Sequence, residues 1–321
     1  MTKLWPWLRL LIGVGILAAL LWWHSTDAFV DALKAIDAGA VAVALAIGLL
    51  TTVLSAARWC LVARRLGLPL TMAGAVPDYY RAQFLNAVLP AGVLGDVHRA
   101  VSHGHRSGDV GRGVRAVFLE RVAGQVVPVL VGLAVLFTQP AVLSAMAPAV
   151  TPALVVLGVV LSLLLVAARR RRTGHRTGRP RAVAAVFADT RAVLDIWPAI
   201  VVLSVAALAG HLTLFVVAAR LTGATAPLAT LVPLLLLALL VMVLPVNVGG
   251  WGPREAVLAV AFGAAGLGSA QGLTVSVVYG VLTFVACLPG AAALLVKRRE
   301  VAPEGRDQAP QGVPALAGVG Q

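Results

Sequence analysis

The stretch Leu244-Pro-Val-Asn-Val-Gly-Gly-Trp-Gly-Pro-Arg-Glu-Ala256 sets two prolines, three glycines and a charged pair between long apolar runs. No Asp, Glu, Lys, Arg or His occurs between Leu221 and Pro253, or between Ala256 and Val296. Arg254 and Glu255 therefore sit between segments that read as lipid-buried, where ionisable side chains are expensive and point to function. Pro245 breaks the preceding helix, Gly249, Gly250 and Gly252 let the backbone bend, and Pro253 suits the first turn of a new helix. The stretch reads as a broken membrane helix. Irregular backbone at that depth needs protein or a water-filled cavity to satisfy its polar groups, so it forms one wall of an expected polar site.

The rest of the chain agrees with a membrane setting. It has 321 residues, 60% hydrophobic and 12% charged, far from the roughly 25% charged residues of soluble domains. Apolar runs give spans over residues 10–23, 38–57, 116–137, 152–168, 196–219, 228–244 and 273–296, with a half-length helix at 253–266. The fold class expected is all-α: a polytopic helical bundle of about 7–8 transmembrane helices, with two re-entrant or broken-helix elements and an internal repeat. One transmembrane domain over residues 1–300 and a disordered cytoplasmic tail over 301–321 account for the length. The formal charge of +13 belongs to loops: 22 of the 26 Lys and Arg fall on one side of this topology. That places both termini in the cytoplasm of a multi-pass cell-membrane protein and argues against a nucleic-acid partner. Cys60 and Cys287 suggest neither a disulfide framework nor a metal site, and no cofactor is expected.

The second broken element lies over Ala82–Gly95, too short to cross and flanked by basic residues. It reads as a re-entrant hairpin turning at Pro90, Gly92 and Gly95. The residues 101–115 after it read as a cytoplasmic connection. Val88-Leu-Pro, with its glycines and arginine, echoes Val243-Leu-Pro with its own, and Arg99 matches Arg254. Paired glycine-interrupted segments in two halves point to a transporter-type site between repeats.

Four groups of residues carry a family likeness: Arg58-Trp59, the run from Phe84 to Arg99, Glu120-Arg121-Val-Ala-Gly124, and Gly249-Gly-Trp-Gly-Pro-Arg-Glu255. In order and spacing they resemble the lysylphosphatidylglycerol synthase membrane region, also called the flippase-like domain family. The resemblance covers about residues 5–300 and implies a membrane protein that moves or holds a polar or charged lipid. In two-domain synthases a soluble domain performs aminoacylation; this chain ends shortly after its last span, so that activity is not expected to carry over.

An anionic headgroup needs positive charge and free amides, which the N-termini of half-helices supply. Arg99, Arg121 and Arg254 are the expected headgroup contacts, with Asp96, Glu120 and Glu255 as counter-ions and Glu255 pairing with Arg254, Arg121 or Arg99. Asn86, Gln125 and Asn247 satisfy broken backbone, and Trp251 stacks on a sugar or anchors its loop. The bland reading is that the charges form fixed ion pairs between hairpins. His211, alone in its span, reads as a packing residue. Expected partners are anionic phospholipid or polyprenyl-phosphate-linked lipid. A flippase, a partner that presents lipid to a separate enzyme, and a polyprenyl-phosphate glycosyl transferase all remain open.

Overall fold

Helix α1 (Ala38–Arg65) begins where the Asp37 carboxylate accepts from the Ala40 amide at 2.7 Å, satisfying one amide that a helix start leaves without a partner. Its 28 residues reach about 42 Å at 1.5 Å per residue, more than the ~30 Å hydrocarbon core. Helix α2 (Met72–Val88) starts at a Thr71 cap and contains Pro77; α3 (Leu94–Arg106) comes after a short break. The Asp109 carboxylate accepts from the Arg112 amide at 2.8 Å to open α4 (Val110–Phe137). Then come α5 (Trp197–Leu221), α6 (Leu228–Val241), α7 (Pro253–Ala264), α8 (Ser269–Cys287) and α9 (Pro289–Leu295). This computed structural model describes residues 34, 36–89, 92–140, 144, 188–242 and 252–295.

Among the described residues there is no strand, and the fold is all-α. Four stretches are long and apolar enough to cross a membrane: α1, α4, α5 and the run 269–295 formed by α8 and α9. The chain is a multi-pass membrane protein. The spans expected at 10–23 and 152–168 and the tail after residue 300 lie outside the described residues, as do Pro90, Pro245, Asn247, Gly249, Gly250 and Trp251.

Three boundaries differ from the expected ones. Residues 101–115 are helical except for a turn at Ser107–Asp109, because α3 and α4 pack closely enough that a Cβ on Gly113 would lie 2.7 Å from the Gly104 Cα. Residues 269–272, outside both the expected half-length helix and the expected span from 273, are already helix, and a Cβ on Gly272 would lie 2.2 Å from the Leu258 carbonyl oxygen of α7. Helix α1 runs past Ala57 to Arg65 because Arg58 is buried and paired, so that its charge does not end the span.

The element order repeats. Helices α1 and α5 start at 38 and 197, α3 and α7 at 94 and 253, and α4 and α8 at 110 and 269, each pair 159 residues apart. Helices α2 and α6 complete the two sets and carry Pro77 and Pro233. Gly113 and Gly272, the two glycines at the α3/α4 and α7/α8 crossings, obey the same offset. In this register Asp96 matches Glu255, each the third residue of its helix, whereas the sequence echo had matched Arg99 with Arg254.

The two sets run in opposite directions. Arg65 at the end of α1 donates to Asp195 before α5 at 2.6 Å, Arg58 donates to Ser204 at 3.2 Å, and Thr51 faces Gly210. Equivalent helices α1 and α5 are thus antiparallel neighbours. Thr51 and Gly210 are themselves equivalent at the 159-residue offset, so the pseudo-twofold axis passes through their contact. One hydrophobic core gathers around Trp59, Tyr79, Val117 and Ile200, and the other around Phe215, Leu235, Leu258 and Phe262.

Candidate functional site

Five charged side chains from α1, α3 and α4 form one network. Glu120 is fully buried; it accepts from Arg58 Nη2 at 2.7 Å and Nε at 3.0 Å, and from Arg99 Nη2 at 2.9 Å. Arg99 Nη2 also donates to Asp96 Oδ1 at 2.9 Å, and Arg121 Nη2 donates to Asp96 Oδ2. Asn86 Nδ2 donates to Asp96 Oδ2 at 2.9 Å, while the Asn86 Oδ1 accepts from the Gly95 amide at 2.8 Å. Asn86 thus satisfies backbone at the break between α2 and α3, the role its sequence suggests.

Three guanidiniums against two carboxylates leave the network with one surplus positive charge. Burial pushes the Asp96 carboxyl upward, but Arg121 and Arg99 outweigh it and hold the group below the usual carboxylate range. Arg99 is 1% exposed, with its guanidinium carbon 4.5 Å from the Trp59 ring centre and 4.3 Å from that of Tyr79. Stacking between two rings offsets part of the cost of burying a cation. Arg99 is therefore walled off, while Arg121 keeps 40% of its side chain accessible.

The second cluster sits where α7 meets α8. Gly252, at φ 110°, adopts a backbone that favours glycine, and its amide donates to Glu255 Oε2 at 2.6 Å. Arg254 Nε donates to Glu255 Oε1 at 3.0 Å and to Ser276 Oγ at 2.8 Å, and the Ser276 hydroxyl donates to the same carboxylate oxygen at 3.0 Å. Arg254 and Glu255 are 2% and 0% exposed. Glu255 pairs with Arg254 and with no other arginine among the described residues.

Both clusters meet one cavity of about 250 Å³. Arg121 from α4 and Arg254 from α7 line it, with Asn86 and Gln83 from α2, Thr52 from α1 and His211 from α5. Gly92 also reaches it. Among the described residues no Asp or Glu lines it; Asp96, Glu120 and Glu255 lie behind the arginines they hold. Gln125 is half-buried one turn beyond Arg121 and outside the lining.

Sequence reasoning missed Arg58, Trp59, Tyr79 and Ser276 as parts of this architecture. Arg58 stood at an apparent span end, and its partner Glu120 is 62 residues away. Periodicity could have flagged α1 as continuing, since residues 61–63 after it are apolar again. Ser276 carried no signal.

Residues 10–290 match the family model described as Lysylphosphatidylglycerol synthase TM region. No curated protein and no solved structure matches.

Proposed function

The chain belongs to the lysylphosphatidylglycerol synthase TM region family, and on that premise we propose that it is a lipid flippase of the cell membrane, passing an anionic headgroup through the cavity between Arg121 and Arg254. The supporting observation is that a guanidinium from each half of the repeat faces one cavity while the carboxylates are turned away from it. A phosphate entering there meets positive charge and competes with Asp96 for Arg121, which allows binding without trapping. Phospholipid and polyprenyl-phosphate headgroups share this chemistry.

In this reading α2 with α3, and α6 with α7, are the two re-entrant elements, and the antiparallel repeats exchange an inward-open for an outward-open state. The chain acts without covalent chemistry: Asp96 and Glu255, the two acids a transferase would use, are held in ion pairs. With Arg64 and Arg65 ending α1 and basic residues opening α4, these ends face the cytoplasm.

Full-length protein in liposomes with a fluorescent phosphatidylglycerol and a membrane-impermeant quencher tests the proposal. Protein-dependent exchange is expected, and Arg121→Gln lowers it about ten- to a hundredfold, the equivalent of one charge-assisted hydrogen bond of about 1.5–3 kcal/mol. Arg254→Lys keeps a charge beside Glu255, loses the fork that grips phosphate, and slows exchange by a smaller factor. Equal exchange by wild type and both variants, with normal insertion, overturns the reading.

A further inference from the structure

At the 159-residue offset, Thr52 on α1 matches His211 on α5, and Glu120 on α4 matches Tyr279 on α8. Thr52 and His211 both line the cavity. In the first half the position is closed: Thr52 Oγ1 donates to Gln83 Oε1 at 2.9 Å, and Glu120 is clamped by Arg58 and Arg99. In the second half no carboxylate stands at that position. The Tyr279 hydroxyl makes a long contact of 3.5 Å to His211 Nδ1, while its ring stacks on Phe215 and lies 5.2 Å from the Arg254 guanidinium.

The groups around His211 are cationic or weakly acidic. Helix α1 presents Thr51 and Thr52, and its Arg58 donates to Ser204, two turns before His211 on α5. Helix α4 presents Arg121, α7 presents Arg254, and α8 presents Tyr279, Thr283 and the Cys287 thiol; α6 contributes Met242, which does not titrate. Arg121 and Arg254 are paired with Asp96 and Glu255 behind them, and no carboxylate is among the described lining residues, so an imidazolium in the cavity meets guanidiniums and no acid directly. A phosphate there reverses the sign of the local field.

We propose that His211 is a proton-binding site linked to the anionic headgroup: as a phosphate-bearing headgroup enters, Nδ1 or Nε2 takes a proton from hydronium or buffer acid in the aqueous phase, and returns it to the aqueous phase as the headgroup leaves. This rests on the cavity being a headgroup site. Linkage is reciprocal, so a proton on His211 raises headgroup affinity by the factor by which the headgroup raises proton affinity. A pH difference across the membrane then biases the direction of lipid movement, without any nucleotide.

The test pairs two measurements on the full chain, with His211→Gln as the variant that keeps a hydrogen-bonding side chain and cannot titrate. In detergent and weak buffer near neutrality, dihexanoyl phosphatidylglycerol is added while binding and proton uptake are read together. Uptake accompanying binding in wild type, and absent in the bound variant, supports the proposal. Binding without uptake, uptake unchanged in His211→Gln, or no binding at all overturns it. In liposomes, wild-type exchange should change about tenfold across the range of about pH 5 to about 8 in which imidazole side chains titrate, and His211→Gln should flatten that profile. Exchange with an identical profile in both proteins overturns the coupling and leaves the flippase reading standing. Proton-linked binding without exchange at any pH leaves His211 in place and removes the flippase reading.

Discussion

Glu120 and Tyr279 occupy the same register of equivalent helices and do opposite things. Glu120 is fixed by two guanidiniums and ties α1, α3 and α4 together; Tyr279 is held by ring stacking, and His211 beside it faces the cavity. Two halves with one helix order have thus divided the work between a rigid charged frame and a responsive wall. Buried ion pairs are weak evidence for net stability but expensive to break from one side, so the division can be measured.

The largest effect should come from Glu120→Ala, which leaves Arg58 and Arg99 buried without their shared partner and destabilises by about 3–5 kcal/mol. Thermal unfolding in detergent checks this, and Tyr279→Phe, which keeps the stacked ring, should lower the midpoint far less. Comparable losses in the two variants would erase the distinction between the halves.

Next comes the axis itself. A Cβ on Gly210 would lie 2.5 Å from Thr51 Cγ2, so Gly210→Ala should cost about 1–3 kcal/mol by overpacking. Adding Thr51→Ser removes that methyl and should recover most of the loss, a coupling that a double-mutant cycle reads directly.

A smaller, pH-dependent effect belongs to His103, buried in the first half edge-on to Trp59 at 5.4 Å. Burial first, then the Arg106 and Arg99 guanidiniums, hold its imidazole below the usual histidine range. The folded state keeps it neutral while the unfolded chain takes a proton near about pH 6.5. Stability should therefore be flat above that pH and fall below it, by at most about 1.4 kcal/mol per pH unit for one proton. His103→Gln should remove this component from the stability profile measured against pH. Smallest of all, Arg65→Ala breaks an exposed pair with Asp195 and should cost about 0–1 kcal/mol.

Much of this was legible in the chain. The uncharged run around Arg254 and Glu255 told correctly that both are buried, and Pro253 marked the start of a helix that ends at Ala264. The all-α membrane class came from hydropathy alone. Tertiary pairing was not legible: Arg58 looks like an interfacial residue until Glu120 is seen beside it, and nothing local distinguishes a neutralised arginine from a solvated one. The repeat was visible but out of register. The matched Val-Leu-Pro runs at Val88 and Val243 lie 155 residues apart and the starts of α3 and α7 159, so matching prolines and arginines displaced the carboxylates, which only the helix starts bring into line. Nor does charge density around Arg99 signal the two rings that enclose it.

The meeting of Thr51 with Gly210 carries one last consequence. A point on a twofold axis faces its own counterpart, so a homodimer of identical half-length subunits must place the same residue there twice: two threonines would collide, and two glycines would leave a hole. A fused polypeptide escapes that constraint and can set a larger residue against a smaller one at its own centre, and the same freedom lets one flank of the lumen carry an imidazole where the other carries a hydroxyl.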